Sequence, residues 1–438
     1  MLLSAYISPF SCRDDIAGIY KIAYIQFLHS VRIRKWHTDS EIETRAQIQE
    51  YKRLRHKMVL KNPLALVLFL LILLLACGGG SSGGKGPGAK NKPPSPTPLP
   101  SAGAFQKPRG IYILDSDKGT FNDANIRELP FVTGYVLRMS WTDFETTEGV
   151  YDFSAIDHII AKLDSIGQKL TLFLGGTGTA EPGYIAATPG VRTWIDRDSK
   201  TGTSVVRAVP WDPFLLDRFR AFTKALGDHL VPSAAAGGHL IPLRDHPVLA
   251  NINFGVAGLG EIRDRSVKIA DIPGYTRQNL TDAVNQSLHA QVDEFPNKFV
   301  AVGLWNVTDS TQSPVLWQDI SVTILNEFDG TKNPRVGFFE DNLAASKNLN
   351  TGAVTGYPST DFAPPLFFSK NVTFIMFQAL QSWVSNTGKT ANATPADGIE
   401  YGYNTYGCTY FELYVADIDN RNNWPSFQKL HDFLMTAQ

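Results

Sequence analysis

The sequence predicts an α/β fold, with a (β/α)8 TIM barrel as the architecture and an open doubly wound sheet as the alternative. Three observations lead there. Eight short runs of apolar, β-branched or aromatic residues recur along residues 104–438, about 335 residues in all. Segments with helical periodicity separate several of them, and strands alternating with helices imply a parallel sheet. No glycine fingerprint for a dinucleotide follows the first run, and no P-loop lysine pattern occurs.

The eight runs are Gly110–Leu114, Gly134–Met139, Lys169–Leu174, Leu249–Val256, Phe299–Trp305, Arg335–Phe339, Val372–Phe377 and Thr409–Val415. The seventh is ambiguous, because Phe374–Trp383 also fits a helix. Between the second and third runs, Ser154–Ile166 places Ile156, Ile159, Ile160, Leu163 and Ile166 on one helical stripe, with Ser154 expected as its cap. Asp212–Leu230 carries Phe214, Leu215, Phe219, Phe222 and Leu226 on a broad stripe, and Thr276–Phe295 repeats the pattern less strongly.

The first hundred residues read differently. Leu64–Ala76 is thirteen apolar residues without a break. As a helix this spans roughly 20 Å, short of a hydrocarbon core of about 30 Å, which suits a signal-peptide core better than a membrane span. It ends in Leu74-Leu75-Ala76-Cys77 followed by three glycines. This resembles a bacterial lipobox, which implies cleavage before Cys77 and a lipid on its sulfur. Met58 and Lys61 stand just ahead of the apolar stretch, so residues 58–76 are expected to form the leader and residues 1–57 an over-extended start. A cytoplasmic extension on a membrane anchor, helical over Glu41–Lys57, is the other reading. Of residues 78–103, 18 of 26 are Gly, Pro or Ser. Residues 77–103 therefore read as a lipidated cysteine and a tether, about 28 Å end to end as a flexible coil.

Composition narrows the function. The chain is 43% hydrophobic and 19% charged, with a formal net charge of −1. Residues 1–57 carry ten Lys/Arg against six Asp/Glu, whereas residues 104–438 carry 27 against 36. An acidic body is a poor partner for nucleic acid, which needs basic clusters to neutralise phosphate. Cys12, Cys77 and Cys408 lie in unrelated contexts and suggest neither a disulfide nor a metal site. His229, His239 and His246 are loosely spaced in a loop-like region, and no metal-binding His pair occurs. No G-x-S-x-G elbow is present. No cofactor or metal is expected, and the oligomeric state is open.

The run Arg138-Met139-Ser140-Trp141-Thr142-Asp143-Phe144-Glu145, then Glu148-Gly149-Val150-Tyr151-Asp152-Phe153, then Ile156-Asp157, resembles the second-strand region of clan A glycoside hydrolases of the β-galactosidase type. Val209-Pro210-Trp211-Asp212-Pro213 before a helix is similar to the same group, and Gly258-Leu259-Gly260-Glu261-Ile262 falls where it places a general acid. The resemblance covers most of residues 108–420. It implies a barrel, a carbohydrate substrate and two catalytic carboxylates. It also implies a mainly structural Glu145. At the family's nucleophile position this chain has Gln378, and Gly260 replaces the usual asparagine before the acid.

Glycoside cleavage needs one carboxylic acid to protonate the leaving oxygen and a second carboxylate as nucleophile or base. In a barrel both sit at the C-terminal ends of strands. Glu261 fits the acid role, or else pairs with Arg263 or Arg265 at the surface. The partner candidates are Glu412, inside the apolar eighth run where a lone charge is costly, and Glu340, closing the sixth in Phe338-Phe339-Glu340-Asp341-Asn342. Trp141 and Trp305 both end strands, where an indole can stack on a sugar face or pack the barrel rim. Asn342, Gln378 and Tyr414 are candidate hydroxyl binders. The expected function is a glycoside hydrolase, lipid-anchored in the bacterial envelope. The alternative is a glycan-binding surface lipoprotein on a degenerate barrel.

Overall fold

The computed structural model describes residues 107–115, 123–174, 181–197, 202–263, 267–311, 315–328, 335–370, 372–385 and 388–437. The expected extension, leader, lipidated Cys77 and linker lie outside the described residues.

Eight parallel strands close on themselves. They are β1 (Gly110–Leu114), β2 (Gly134–Met139), β3 (Lys169–Leu174), β4 (Leu249–Asn253), β5 (Phe299–Gly303), β6 (Val336–Lys347), β7 (Ile375–Ala379) and β8 (Tyr410–Tyr414). Each pairs in parallel with its neighbours in sequence order, and β8 returns to β1 with Tyr112 opposite Glu412. Closure excludes the open doubly wound sheet. It also explains why the strands read as continuous apolar runs: the barrel interior lies on one face and the helices on the other. β1, β7 and β8 are buried along their whole length.

Four strands, β1, β2, β3 and β8, match the predicted runs within a residue, and the other four overlap them with shifted ends. β4 and β5 stop short, at Asn253 and Gly303. β6 runs on past Phe339 to Lys347, where it pairs antiparallel with a short strand, Val354–Tyr357. The ambiguous seventh run is a strand, held between β6 and β8.

The surrounding helices are α1 (Ser154–Ser165), α2 (Pro213–Asp228), α3 (Arg277–Glu294), α4 (Leu316–Glu327), α5 (Pro364–Ser369), α6 (Pro395–Tyr406) and α7 (Trp424–Thr436). Their starts follow local chemistry. Asp212 accepts from the Phe214 N–H at 3.0 Å with Pro213 at the first position, and Thr276 accepts from the Asn279 N–H at 3.0 Å. Thr394 and Asp397 form a reciprocal capping box on α6. At α1 the expected Ser154 cap is corrected. Ser154 is the first helical residue, Phe153 holds the cap position, and the Ser154 N–H donates to the Asp152 carboxylate at 3.0 Å. The predicted stripe of α1 is buried as expected at Ile156, Ile159, Ile160 and Leu163.

Candidate active site at the barrel mouth

Contacts that cross the barrel, and those that share a layer with them, identify the inward side chains. The Asn251 amide of β4 donates to the Thr171 hydroxyl of β3 at 3.0 Å. Thr171 lies 2.8 Å from the Tyr410 hydroxyl of β8, which in turn bonds the Glu412 carboxyl at 2.9 Å. The Tyr112 and Tyr410 rings pack at a tilt of 33° with centroids 4.3 Å apart, and Phe173 of β3 meets Phe339 of β6 at 5.3 Å. β3 is a neighbour of neither β8 nor β6, so the Thr171–Tyr410 and Phe173–Phe339 contacts can be made only through the barrel interior. By alternation, Arg138, Asn253, Gly303, Asp341, Gln378, Glu412 and Tyr414 point inward near the C-terminal strand ends.

Glu412 is fully buried. One carboxyl oxygen takes the Tyr410 hydrogen bond; the other lies 3.6 Å from the Arg138 guanidinium. Arg138 is itself laid over the Phe173 ring, 4.8 Å from its centroid. Burial pushes the Glu412 carboxyl up to about 7, against the pull of Arg138 and the Tyr410 bond, and the charge of Asp341 adds to the rise. A group at that value can hold or release a proton near neutrality.

Glu261 reaches the mouth by a detour. After Asn253 the chain leaves the barrel in a tight loop closed by the Val256 N–H to Gly260 carbonyl bond at 3.0 Å. Gly255 in this loop has φ 62°, and a Cβ there would fall 1.9 Å from the Gly260 carbonyl oxygen, so only glycine fits. The chain returns at Ile262, whose N–H donates to the Gly303 carbonyl at 3.1 Å, while the Trp305 N–H donates to the Ile262 carbonyl at 3.0 Å. This extends the sheet alongside β5. It lays the Glu261 side chain across the inward face of Gly303, where any Cβ would stand 2.6 Å from its Cγ. Glu261 forms an ion pair with Arg263. Arg263 also lies 3.4 Å from the Asp341 carboxylate and covers the Trp305 ring at 4.4 Å.

The predicted residues therefore divide. Glu261, Glu412, Trp305, Gln378 and Tyr414 gather at the mouth. Gln378 stands in register beside Glu412 and donates to the Tyr414 hydroxyl at 3.1 Å. Two candidates are corrected. Glu340 is in register with Phe377, whose ring packs on Tyr406 of α6, so it faces away from the interior and lies buried under Tyr357 and Tyr406. Burial drives its carboxyl well above the usual range, and Asn342 bonds to it there rather than lining the mouth. Trp141 turns into the core on a short helix, Trp141–Phe144, started by Ser140 and Asp143. It is fully buried, stacks on Phe222 at 5.3 Å and donates to Glu145 at 2.8 Å, leaving no face for a ligand. Glu145 is occupied by Trp141, the Gly149 N–H, Tyr184 and Arg218, a structural hub.

Arg138, Asn253 and Asp341 are mouth residues that the sequence reading passed over as site candidates. Asp341 sits next to Glu340 in the same run, and its only sequence signal was that adjacency. Among the described residues, several buried polar atoms of the mouth have no hydrogen-bond partner: both amide atoms of Asn253, Gln378 Oε1, Trp305 Nε1 and Arg138 Nε. Unmet buried donors and acceptors concentrated in one place mark a site that a polar ligand can complete.

No protein-family model matches the chain, and no curated protein is similar to it. Among solved structures the chain is similar to a β-galactosidase from Rahnella sp. R3, at 10% identity over 75% of this chain and 56% of that one, with a TM-score of 0.42. It is similar to the β-amylase catalytic domain from Paenibacillus polymyxa at 9% identity, over 70% and 92% of the two chains, TM-score 0.40. It is also similar to endo-glycoceramidase II from Rhodococcus sp. at 12% identity, TM-score 0.32, with 53% of this chain aligned to 64% of that chain's length.

Proposed function

We propose that the barrel is a glycoside hydrolase in which Glu412 supplies the proton and Glu261 the paired carboxylate. The observation that carries this reading is Glu412 itself. It is a buried inward carboxyl in the middle of β8, two residues before the strand ends at Tyr414, and burial pushes it up to about 7. It stands one strand, about 4.8 Å, from Gln378, where the resembling family has its nucleophile. Glu412 O–H protonates the glycosidic oxygen as the C–O bond breaks. Glu261, paired with Arg263, attacks the anomeric carbon or takes a proton from the attacking water. Trp305, Asn253, Gln378 and Tyr414 offer the ring face and hydrogen bonds that a sugar needs. Neutral sugars, rich in hydroxyls, match the amide and indole groups of the mouth that have no hydrogen-bond partner among the described residues.

The test is reducing-end release from a panel of polysaccharides and aryl glycosides. Glu412→Gln and Glu261→Gln should each abolish it while keeping the folded circular-dichroism spectrum. Retained turnover in either variant refutes its assigned role. Gln378 favours a second reading: glycan binding without hydrolysis by the wild type, lost on Trp305→Ala, would make the chain a carbohydrate-binding protein.

We also propose that Cys77 carries a lipid and that the barrel is tethered to a bacterial envelope membrane. The leader-like stretch before Cys77 and the tether after it support this. Cys77→Ser should move the protein out of the membrane fraction; an unchanged distribution refutes the anchor.

A further inference from the structure

The proposed acid–carboxylate pair leaves one mouth carboxyl unused. Asp341 follows the outward Glu340 where the pairing of β6 with β7 slips register, and its contact with Arg263 places its carboxylate at the mouth. Its carboxylate is 3.4 Å from the Arg263 guanidinium, which at the same time pairs with Glu261 and stands over the Trp305 ring. The guanidinium is thus held from three sides, by two carboxylates and an indole face. Removing any one of them frees the others. On the opposite side, Glu340 is in register with Phe377 and Gln378 with Glu412. Asp341 and Glu412 therefore stand two strands apart, about 10 Å between backbones, with both side chains converging inward.

We propose that Asp341 is a positioning residue of the site: through Arg263 it fixes the Glu261 carboxylate against Gly303, and its charge acts on Glu412 across the mouth. The inference deepens the hydrolase reading and rests on it only for the names of the two roles. Glu412 is faced by Arg138 from β2, Tyr112 from β1, Tyr410 on its own strand, neutral Gln378 from β7 and Asp341 from β6. Arg263 and Glu261 lie beyond Asp341. Of these, Arg138 favours the ionised form of Glu412 and Asp341 the protonated form. Glu340 lies behind the strand.

The experiment is a carbon-13 titration of the glutamate side-chain carboxyls in the full chain, with the Glu412 signal assigned by its loss in Glu412→Gln. Asp341→Asn should lower the Glu412 midpoint by about one pH unit. Arg263→Met should raise it, because the Asp341 charge loses its partner. Glu340→Gln should leave it in place. Opposite movements in the two mouth variants are not produced by general loosening, and the Arg263 variant decides the matter if Asp341→Asn fails to fold. A Glu412 midpoint that Asp341→Asn leaves unmoved or raises, or that Arg263→Met leaves unmoved or lowers, overturns the proposal. If the chain hydrolyses glycans, Asp341→Asn should also move the basic limb of the kcat profile downward by the same amount. Shifted midpoints in a protein that cleaves nothing would sink the hydrolase reading and keep this one; active enzyme with unmoved midpoints would do the reverse.

Discussion

Glu412→Gln is expected to stabilise the protein above neutral pH, although it removes the proposed acid. The folded carboxyl titrates at about 7, whereas an unperturbed glutamate titrates at 4.5. The folded state therefore binds this proton more tightly than the unfolded chain. Stability from the protonated group is fully present below pH 4.5 and is lost as pH rises through 7. Each pH step in that window is worth about 1.4 kcal/mol, so the loss comes to about 3 kcal/mol by pH 8. Glutamine stays neutral and suffers no such loss. Its amide changes the contacts to Arg138 and Tyr410, which adds an offset that is the same at every pH. Urea unfolding of wild type and variant from pH 4 to 8.5 isolates the effect, because all other titrations cancel in the difference. The stability advantage of the variant should grow by about 3 kcal/mol across that range. A difference that stays flat would mean that Arg138 already compensates the buried charge and that Glu412 is ionised throughout, which also removes its role as acid.

Gly303→Ala should cut any hydrolytic activity by about two orders of magnitude with little loss of stability, since the new methyl displaces Glu261 rather than core residues. Unchanged kcat/KM would show that Glu261 is not positioned by this contact. Trp141→Ala should cost about 3–5 kcal/mol in urea unfolding, because the indole is fully buried against Phe219 and Phe222. Glycan affinity of the folded variant should match wild type, and a selective loss of affinity would return Trp141 to the site. Cys408 is fully buried with its thiol pushed up by desolvation, so it should resist alkylation at pH 8 until the barrel unfolds. Rapid labelling of the native protein would contradict that burial.

The eight strands and the stripe of α1 were legible in the sequence because each rests on local pattern, apolar runs and 3.6-residue periodicity; the cap of α1 was not, since Ser154 lies inside the helix behind Phe153. Glu261 and Glu412 were legible as costly or glycine-flanked carboxyls in apolar surroundings. The direction of a side chain at a strand end was not. In a strand buried on both faces, inward and outward residues are equally apolar, so the alternation that separates Asp341 from Glu340 leaves no mark in the residue types. The pairing of Arg138 with Glu412 joins β2 to β8, and only the closed ring brings those strands to one interior. Trp141 ends a strand in the sequence, yet the Ser140 turn carries its ring into the core. Sequence by itself determined the elements and the stock of carboxyls. Tertiary closure decided which of them share a site, because inward orientation is set by register around the whole barrel and not by any local run.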